Sequence, residues 1–209
     1  MSKIFATTLA VAVVNAQSNK KAYMPVTQQL NFFGYGEPKF VGEMLVGESN
    51  MAVKIDTTTH NNPVASRTCD NCWENFDTAQ GLDLLDSLSA GTANIVRDRE
   101  DEMYYGGNWM DGRYATDQVC IGNECFADQM VFVVEDEDIE DEPLMSEPYN
   151  AVLGLARPLP SWFADTDGPD PTDFFLNQNI TGYTNGFSLN YRKANASDSE
   201  VVFGATDLA

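Results

Sequence analysis

The sequence predicts an all-β domain with one or two short helices. Short runs rich in Val, Phe, Tyr and Met alternate at close intervals with clusters of Gly, Pro, Asn and Asp, a pattern typical of strands separated by turns. The 209 residues are 43% hydrophobic and 11% aromatic, which is sufficient for a buried core. Because a chain of this length matches one large β domain and shows no internal repeat, we expect a single domain.

The first 16 residues resemble a secretory signal peptide. Lys3 provides a basic start, residues 4–14 form a mostly apolar run, and Val14-Asn15-Ala16 is a small-x-small cleavage pattern. The alternative is a membrane anchor, but a span requires about 20 apolar residues and this run is shorter. We therefore expect a mature domain over residues 17–209 in the secretory pathway, either extracellular or in an acidic lumen such as a lysosome or vacuole.

Strands are predicted where β-branched and aromatic residues are concentrated between turn residues. The clearest candidates are residues 41–46, 51–56, 113–121 and 130–134. A hairpin turn is predicted at Gly122-Asn123 because these residue types favour tight turns. A helix is predicted from Thr172 to about Asn179, directly after Asp170-Pro171.

Four cysteines predict disulfides, because secretion would place them in an oxidising compartment. Two local bridges, Cys69 with Cys72 and Cys120 with Cys125, are the simplest pairing. The alternatives are a bridge between the two pairs, or a zinc or redox site, although the second pair lacks the CxxC spacing. Two glycosylation sequons agree with secretion: Asn179-Ile180-Thr181 and Asn195-Ala196-Ser197.

The charge of the chain excludes two classes of partner. Twelve Lys and Arg against 32 Asp and Glu leave a formal net charge of −20, which repels nucleic acid and anionic membrane surfaces. Residues 135–142 are almost all acidic, which indicates a solvated loop, with a calcium or basic-partner site as the alternative. Because His60 is the only histidine, a His-based nucleophile pair or metal centre is disfavoured, and carboxylates are the expected carriers of any catalysis.

Asp56 is the candidate for chemistry. It ends the predicted strand 51–56 and is followed by Thr57-Thr58-Thr59. Taken alone, an aspartate in this position is typical of a turn residue at a strand end. The motifs that follow it in the chain change this interpretation.

The ordered series of motifs resembles the amino-terminal lobe of the pepsin-like aspartic proteases. Asp56-Thr57-Thr58-Thr59, preceded by Leu45-Val46-Gly47, is similar to the catalytic Asp-Thr-Gly-Ser segment of that family. Tyr105-Gly106-Gly107-Asn108 is similar to its flap, a hairpin that folds over the substrate. Three further segments are similar to later family motifs: Asn150 to Leu155, Phe187-Ser188, and Gly204 to Asp207. The resemblance covers about residues 25–207.

The resemblance implies an aspartic endopeptidase that needs no cofactor and no metal. In such enzymes two aspartates, one from each lobe, share a proton and activate a water that attacks the peptide bond. Asp56 would be the first aspartate, supported by Thr57 and Thr58, and Thr57 would bond across to the second lobe. Tyr105, with Gly106 and Gly107, would cover a peptide or protein substrate.

Several residues depart from the family pattern. Thr58 replaces a glycine where the two carboxylates approach, Pro63 replaces a tryptophan that orients the flap tyrosine, and Asn150-Ala151 replaces Asp-Gly. The second aspartate has no match, so we expect the carboxy-terminal lobe to be absent from residues 17–209. A lone Asp56 would titrate near its ordinary pKa of about 3.9 and be a poor base.

Three hypotheses remain open at the level of the sequence. The first is an aspartic endopeptidase, incomplete or inactive as this chain alone unless a second lobe or a homodimer supplies the other aspartate. The second is a pseudoprotease that binds peptides or proteins without cutting them. The third is an acidic secreted protein that sequesters calcium or basic partners.

Overall fold

The computed structural model describes residues 21–29, 39–70, 72, 94–96, 100–106, 108–138, 149–156, 187–190 and 199–204. Every regular element in these ranges is a strand, which confirms the all-β prediction. The strands are β1 (Lys21–Gln29), β2 (Lys39–Val46), β3 (Ser49–Asp56), β4 (Pro63–Asp70), β5 (Asn94–Ile95), β6 (Asp101–Tyr105), β7 (Asn108–Ile121), β8 (Glu124–Glu137), β9 (Ala151–Gly154), β10 (Phe187–Asn190) and β11 (Ser199–Gly204). The predicted signal peptide, the predicted helix, both sequons and Gly107 lie outside the described residues.

The four predicted strands lie within β2, β3, β7 and β8, and the predicted turn at Gly122-Asn123 joins β7 to β8. The other seven strands were not among the predicted ones, and two of them, β1 and β4, carry a proline. Pro25 lies inside β1, but the ladder to β2 begins only at Val26, so the missing N–H of the proline interrupts no bond on that side. Pro63 is the first residue of β4, another position where a strand tolerates proline.

The strands form one sheet that closes partly on itself. Their order is β10-β11-β1-β2-β3-β9-β4-β8-β7-β5, with β6 paired to β7. An additional pairing of β2 with β7, at Leu45–Cys120 and Val46–Val119, closes a ring from β2 through β3, β9, β4 and β8 to β7. Within this ring β9 lies between β3 and β4, so the chain from β3 to β4 must cross the end of β9.

Alternating side chains build the core from these strands. In β1, Ala22, Met24 and Val26 are buried while Tyr23 and Thr27 are exposed, as the period of two requires. β9 is buried along its whole length because strands flank it on both sides. Two apolar clusters result: a large one around Met44, Val53 and Leu153, and a smaller one around Val41, Tyr105 and Tyr149. The smaller cluster lies under the β6–β7 hairpin and forms the floor of the region described below.

Both predicted local disulfides are present, Cys69 with Cys72 and Cys120 with Cys125. The second bridge joins residues directly opposite each other in the β7–β8 hairpin, next to the turn at Gly122. Gly122 has a φ of 57°, and a Cβ there would stand 2.6 Å from the carbonyl oxygen of Tyr23, so the turn requires glycine. All four cysteines are paired in these two local bridges, so the alternative of a bridge between the two pairs is wrong.

Removal of the hairpin disulfide tests how much this bridge stabilises the fold. We expect Cys120→Ala combined with Cys125→Ala to lower the free energy of unfolding by about 2 kcal/mol, because the loop it closes is short. Urea denaturation of the variant and of the unreduced wild type measures the difference. Recovery of free thiols, or of a peptide linking Cys69 to Cys120, from the unreduced wild type would contradict the assignment.

Candidate active site

Asp56 is the last residue of β3 and is only 9% exposed. Its backbone is held by β9: Asp56 pairs with Gly154 in the parallel ladder, and Leu155 N donates to Asp56 O at 2.7 Å. A carboxylate therefore stands at the carboxyl end of a buried strand, fixed by hydrogen bonds from the neighbouring strand. The backbone position of this charged residue is therefore fixed by the sheet.

The loop after Asp56 turns its own hydrogen-bond donors onto the carboxylate. Thr58 N and Thr58 Oγ1 donate to Asp56 Oδ1 at 2.7 and 2.6 Å. The position of Thr58 where two carboxylates would approach each other, which the family resemblance implied, stays a prediction. Toward Asp56 itself, the threonine supplies two donors that favour the charged form. Thr57 is exposed, and its predicted bond to another lobe is untested.

The other carboxylate oxygen is held from the β6–β7 hairpin and from β3. The Tyr105 hydroxyl donates to Asp56 Oδ2, and Lys54 Nζ lies 3.1 Å from the same oxygen. Lys54 Nζ also donates to the Tyr105 hydroxyl at 2.9 Å. Tyr105 is the last residue of β6, and Gly106 follows it in the exposed hairpin turn with a φ of 62°. The Tyr105 hydroxyl thus contacts the Asp56 carboxylate directly, while its role in covering a substrate stays a prediction.

These contacts control the pKa of Asp56. Burial by itself raises the pKa, but the bonds from Thr58 and Tyr105 and the charge of Lys54 outweigh it and lower the value to about 2. The expectation of an ordinary pKa for a lone Asp56 was therefore wrong, because three neighbouring groups stabilise the anion. Burial and the Asp56 charge both raise the pKa of Tyr105, which keeps its hydroxyl a donor.

The loop from β3 to β4 is attached to β9 by Asn62, a residue that the sequence analysis did not single out. Gly154 N donates to Asn62 Oδ1 at 2.9 Å, and Ala156 N donates to Thr59 O at 2.9 Å. A Cβ at Gly154 would stand 2.7 Å from the carbonyl oxygen of Thr59 and closer still to that of Asn61. Glycine at 154 therefore lets the loop that carries Thr58 pass directly over β9.

Lys54 was also missed, although the sequence held a signal for it. Residues two apart on a strand share a face, so a lysine two positions before Asp56 must project beside it. Pro63, by contrast, begins β4 and is buried. The Tyr105 hydroxyl contacts two polar groups, the Asp56 carboxylate and the ammonium of Lys54.

The outer side of the hairpin is acidic. Glu102, Asp111 and Asp136 lie opposite one another on β6, β7 and β8. Burial is the main cause of a raised pKa at Asp111, and the charges of the neighbouring acidic side chains, Glu102 first, raise it further. A field of this sign favours the approach of cationic peptides. The prediction of a solvated loop over residues 135–142 is wrong at its start, because residues 135–137 are the end of β8 and Glu137 is buried and accepts a hydrogen bond from Asn108. Residues 139–142 lie outside the described part of the chain.

Neither a metal site nor a membrane span is found in the described part of the chain. No group of three or more Cys, His, Asp or Glu side chains there is arranged to hold a metal ion. No helix among the described residues has the length and apolar character to cross a membrane. His60, in the loop after Asp56, is half-buried, and burial lowers its pKa.

Fold and site together define a class of protein. In this all-β lobe, a buried strand ends in an aspartate, and the loop that follows is hydrogen-bonded to the adjacent strand. A tyrosine from a hairpin covers the carboxylate. This is the architecture of a pepsin-like aspartic protease lobe.

The chain belongs to the eukaryotic aspartyl protease family, whose family model matches residues 39–209. That range contains Asp56, the hairpin with Tyr105, and β9. No curated protein matches the chain.

Proposed function

We propose that this protein is an aspartic endopeptidase in which Asp56 provides one carboxylate of the water-activating pair. The observation that carries the proposal is the buried carboxylate at the end of β3, covered by Tyr105 from the β6–β7 hairpin. Membership of the aspartyl protease family supports the same reaction.

In this reaction a charged carboxylate accepts a proton from water, and the water attacks the peptide carbonyl while a protonated carboxyl donates to its oxygen. Above about pH 2 Asp56 is in the charged form that the first role requires. Among the described residues, the groups that shift its pKa include no second carboxyl. We propose that the second acid comes from a second lobe or from Asp56 of another copy in a two-fold homodimer.

A second candidate function is supported by the state of Asp56 itself. Both carboxylate oxygens are occupied, Oδ1 by Thr58 and Oδ2 by Tyr105 and Lys54. A carboxylate with a pKa of about 2 is also a weak base. These contacts favour a pseudoprotease that binds peptides or proteins under the hairpin without hydrolysing them.

Hydrolysis of unstructured peptides between about pH 3 and 6 separates the two functions. For the endopeptidase, we expect Asp56→Asn to lower the rate by at least about 100-fold. The rate should rise with the square of the chain concentration if two copies assemble the site. The matched control is Asp128→Asn, at an exposed position whose φ of 55° asparagine tolerates, and it should keep the wild-type rate.

The pseudoprotease predicts no turnover under any of these conditions and peptide binding that survives Asp56→Asn, measured by calorimetry with the same peptides. If the wild type and Asp56→Asn hydrolyse equally fast, Asp56 is not the catalytic carboxylate.

We also propose that the protein works in the secretory pathway, outside the cell or in an acidic lumen. Its two disulfides support an oxidising compartment, where such bridges form and persist.

A further inference from the structure

Lys54 has no step of its own in the proposed hydrolysis. It lies on β3 two residues before Asp56, so both side chains project from the same face of the strand. Its ammonium contacts Asp56 Oδ2 at 3.1 Å and the Tyr105 hydroxyl at 2.9 Å. One cation therefore joins the carboxylate to the hairpin that covers it.

The ammonium is also held by aromatic rings. Lys54 Nζ lies 5.2 Å from the ring centroid of Tyr105 and 5.9 Å from that of Tyr149. Rings at these distances attract a cation through their quadrupoles, more strongly where water is partly excluded. Lys54 is half-buried, so its position is set by groups on three parts of the fold: β3 itself, the hairpin, and the segment entering β9.

The three polar groups form a closed set of contacts. The Tyr105 hydroxyl has one hydrogen to donate and lone pairs to accept, and here it donates to Asp56 and accepts from Lys54. The charged and titratable groups that act on Asp56 are Lys54 from β3 and Tyr105 from β6, while Tyr149 acts on Tyr105. A peptide that reached Asp56 would have to displace the tyrosine hydroxyl from the carboxylate.

We infer that Lys54 is a positioning residue that holds the Tyr105 hydroxyl on an ionised Asp56 and so keeps the hairpin closed over the carboxylate. The inference rests on the proposed function only in taking the space beneath the hairpin as the peptide cleft. On this inference, Lys54 on β3 keeps the β6–β7 hairpin closed. Loss of its charge would loosen the hairpin and make Asp56 easier to protonate.

Carbon-13 NMR titration of the aspartate carboxyls tests the inference without any turnover. We expect Lys54→Met to raise the pKa of Asp56 by about half a unit, because an adjacent opposite charge lowers a carboxyl pKa and Lys54 is the weakest of the groups that lower this one. Lys54→Arg should restore most of the shift because the charge returns. Arg113→Met is the matched control, because Arg113 is also a half-buried cation, paired with Glu135 at 3.3 Å. It should leave Asp56 unchanged.

Nitration of tyrosine, mapped by mass spectrometry, reports on the hairpin in the same samples. Tyr105 should react faster in Lys54→Met than in the wild type, while the exposed Tyr104 serves as the internal reference. Equal Tyr105 reactivity and an unchanged Asp56 titration in Lys54→Met would overturn the inference.

Should Lys54→Met fail to fold, Lys54→Gln removes the charge while keeping a polar side chain, and an unchanged Asp56 titration in that variant would overturn the inference. A shifted pKa and a released Tyr105 without hydrolysis would support this inference and count against the endopeptidase. An active enzyme with an unshifted Asp56 would do the reverse.

Discussion

Replacing Gly154 with alanine is expected to destabilise the protein by about 3 kcal/mol, the upper range for forcing an added carbon into a packed site. The new Cβ would stand 2.7 Å from the Thr59 carbonyl oxygen and closer to that of Asn61. Both neighbours are backbone atoms, so relief requires the whole loop to shift. The shift would also strain the bond from Gly154 N to Asn62 Oδ1.

The free energy of unfolding in urea, followed by intrinsic fluorescence, measures this effect. Gly47→Ala is the comparison, because Gly47 lies in the β2–β3 turn with a φ of 57° and needs glycine for its conformation. It should cost about 1 kcal/mol. A Gly154→Ala variant as stable as the wild type would mean that the loop does not pass over β9 as described.

The second large effect concerns the charge of Asp56. We expect Asp56→Asn to lower the free energy of unfolding at pH 7 by about 2 kcal/mol, because the ionised carboxylate of Asp56 is more stable in the folded state than in the unfolded chain. The pKa of Asp56 is about 2 in the folded state against an ordinary value of 3.8. A carboxyl group whose pKa is lowered by folding stabilises the folded state at pH values above its unfolded-state pKa. This stabilisation is lost as the pH falls through the folded-state pKa.

The difference between wild type and Asp56→Asn should therefore be largest above about pH 4 and shrink as the pH falls toward 2. Urea titrations at several pH values measure it, with the exposed Asp128→Asn as a control that should stay close to wild type throughout. An Asp56→Asn variant that is as stable as the wild type at pH 7 would show that Lys54, Tyr105 and Thr58 do not hold the carboxylate.

Tertiary contacts decided how Asp56 behaves. Tyr105, whose hydroxyl bonds to Asp56, is 49 positions from it in the chain. Gly154, whose amide anchors Asn62, is 92 positions from Asn62. No local pattern encodes such distances, because they follow from the order of strands in the sheet. The closure of the sheet through the β2–β7 pairing is non-local for the same reason.

The sequence by itself determined the local features. Alternation and β-branched residues placed β2, β3, β7 and β8, the residues around Gly122 placed the hairpin turn, and the cysteine spacing indicated both bridges, because each signal acts over a few residues. The ordered motifs also indicated the family and put Asp56 at a strand end. Only the folded structure decided that Lys54 and Tyr105 meet on that carboxylate and lower its pKa, because charge interactions depend on separation in space.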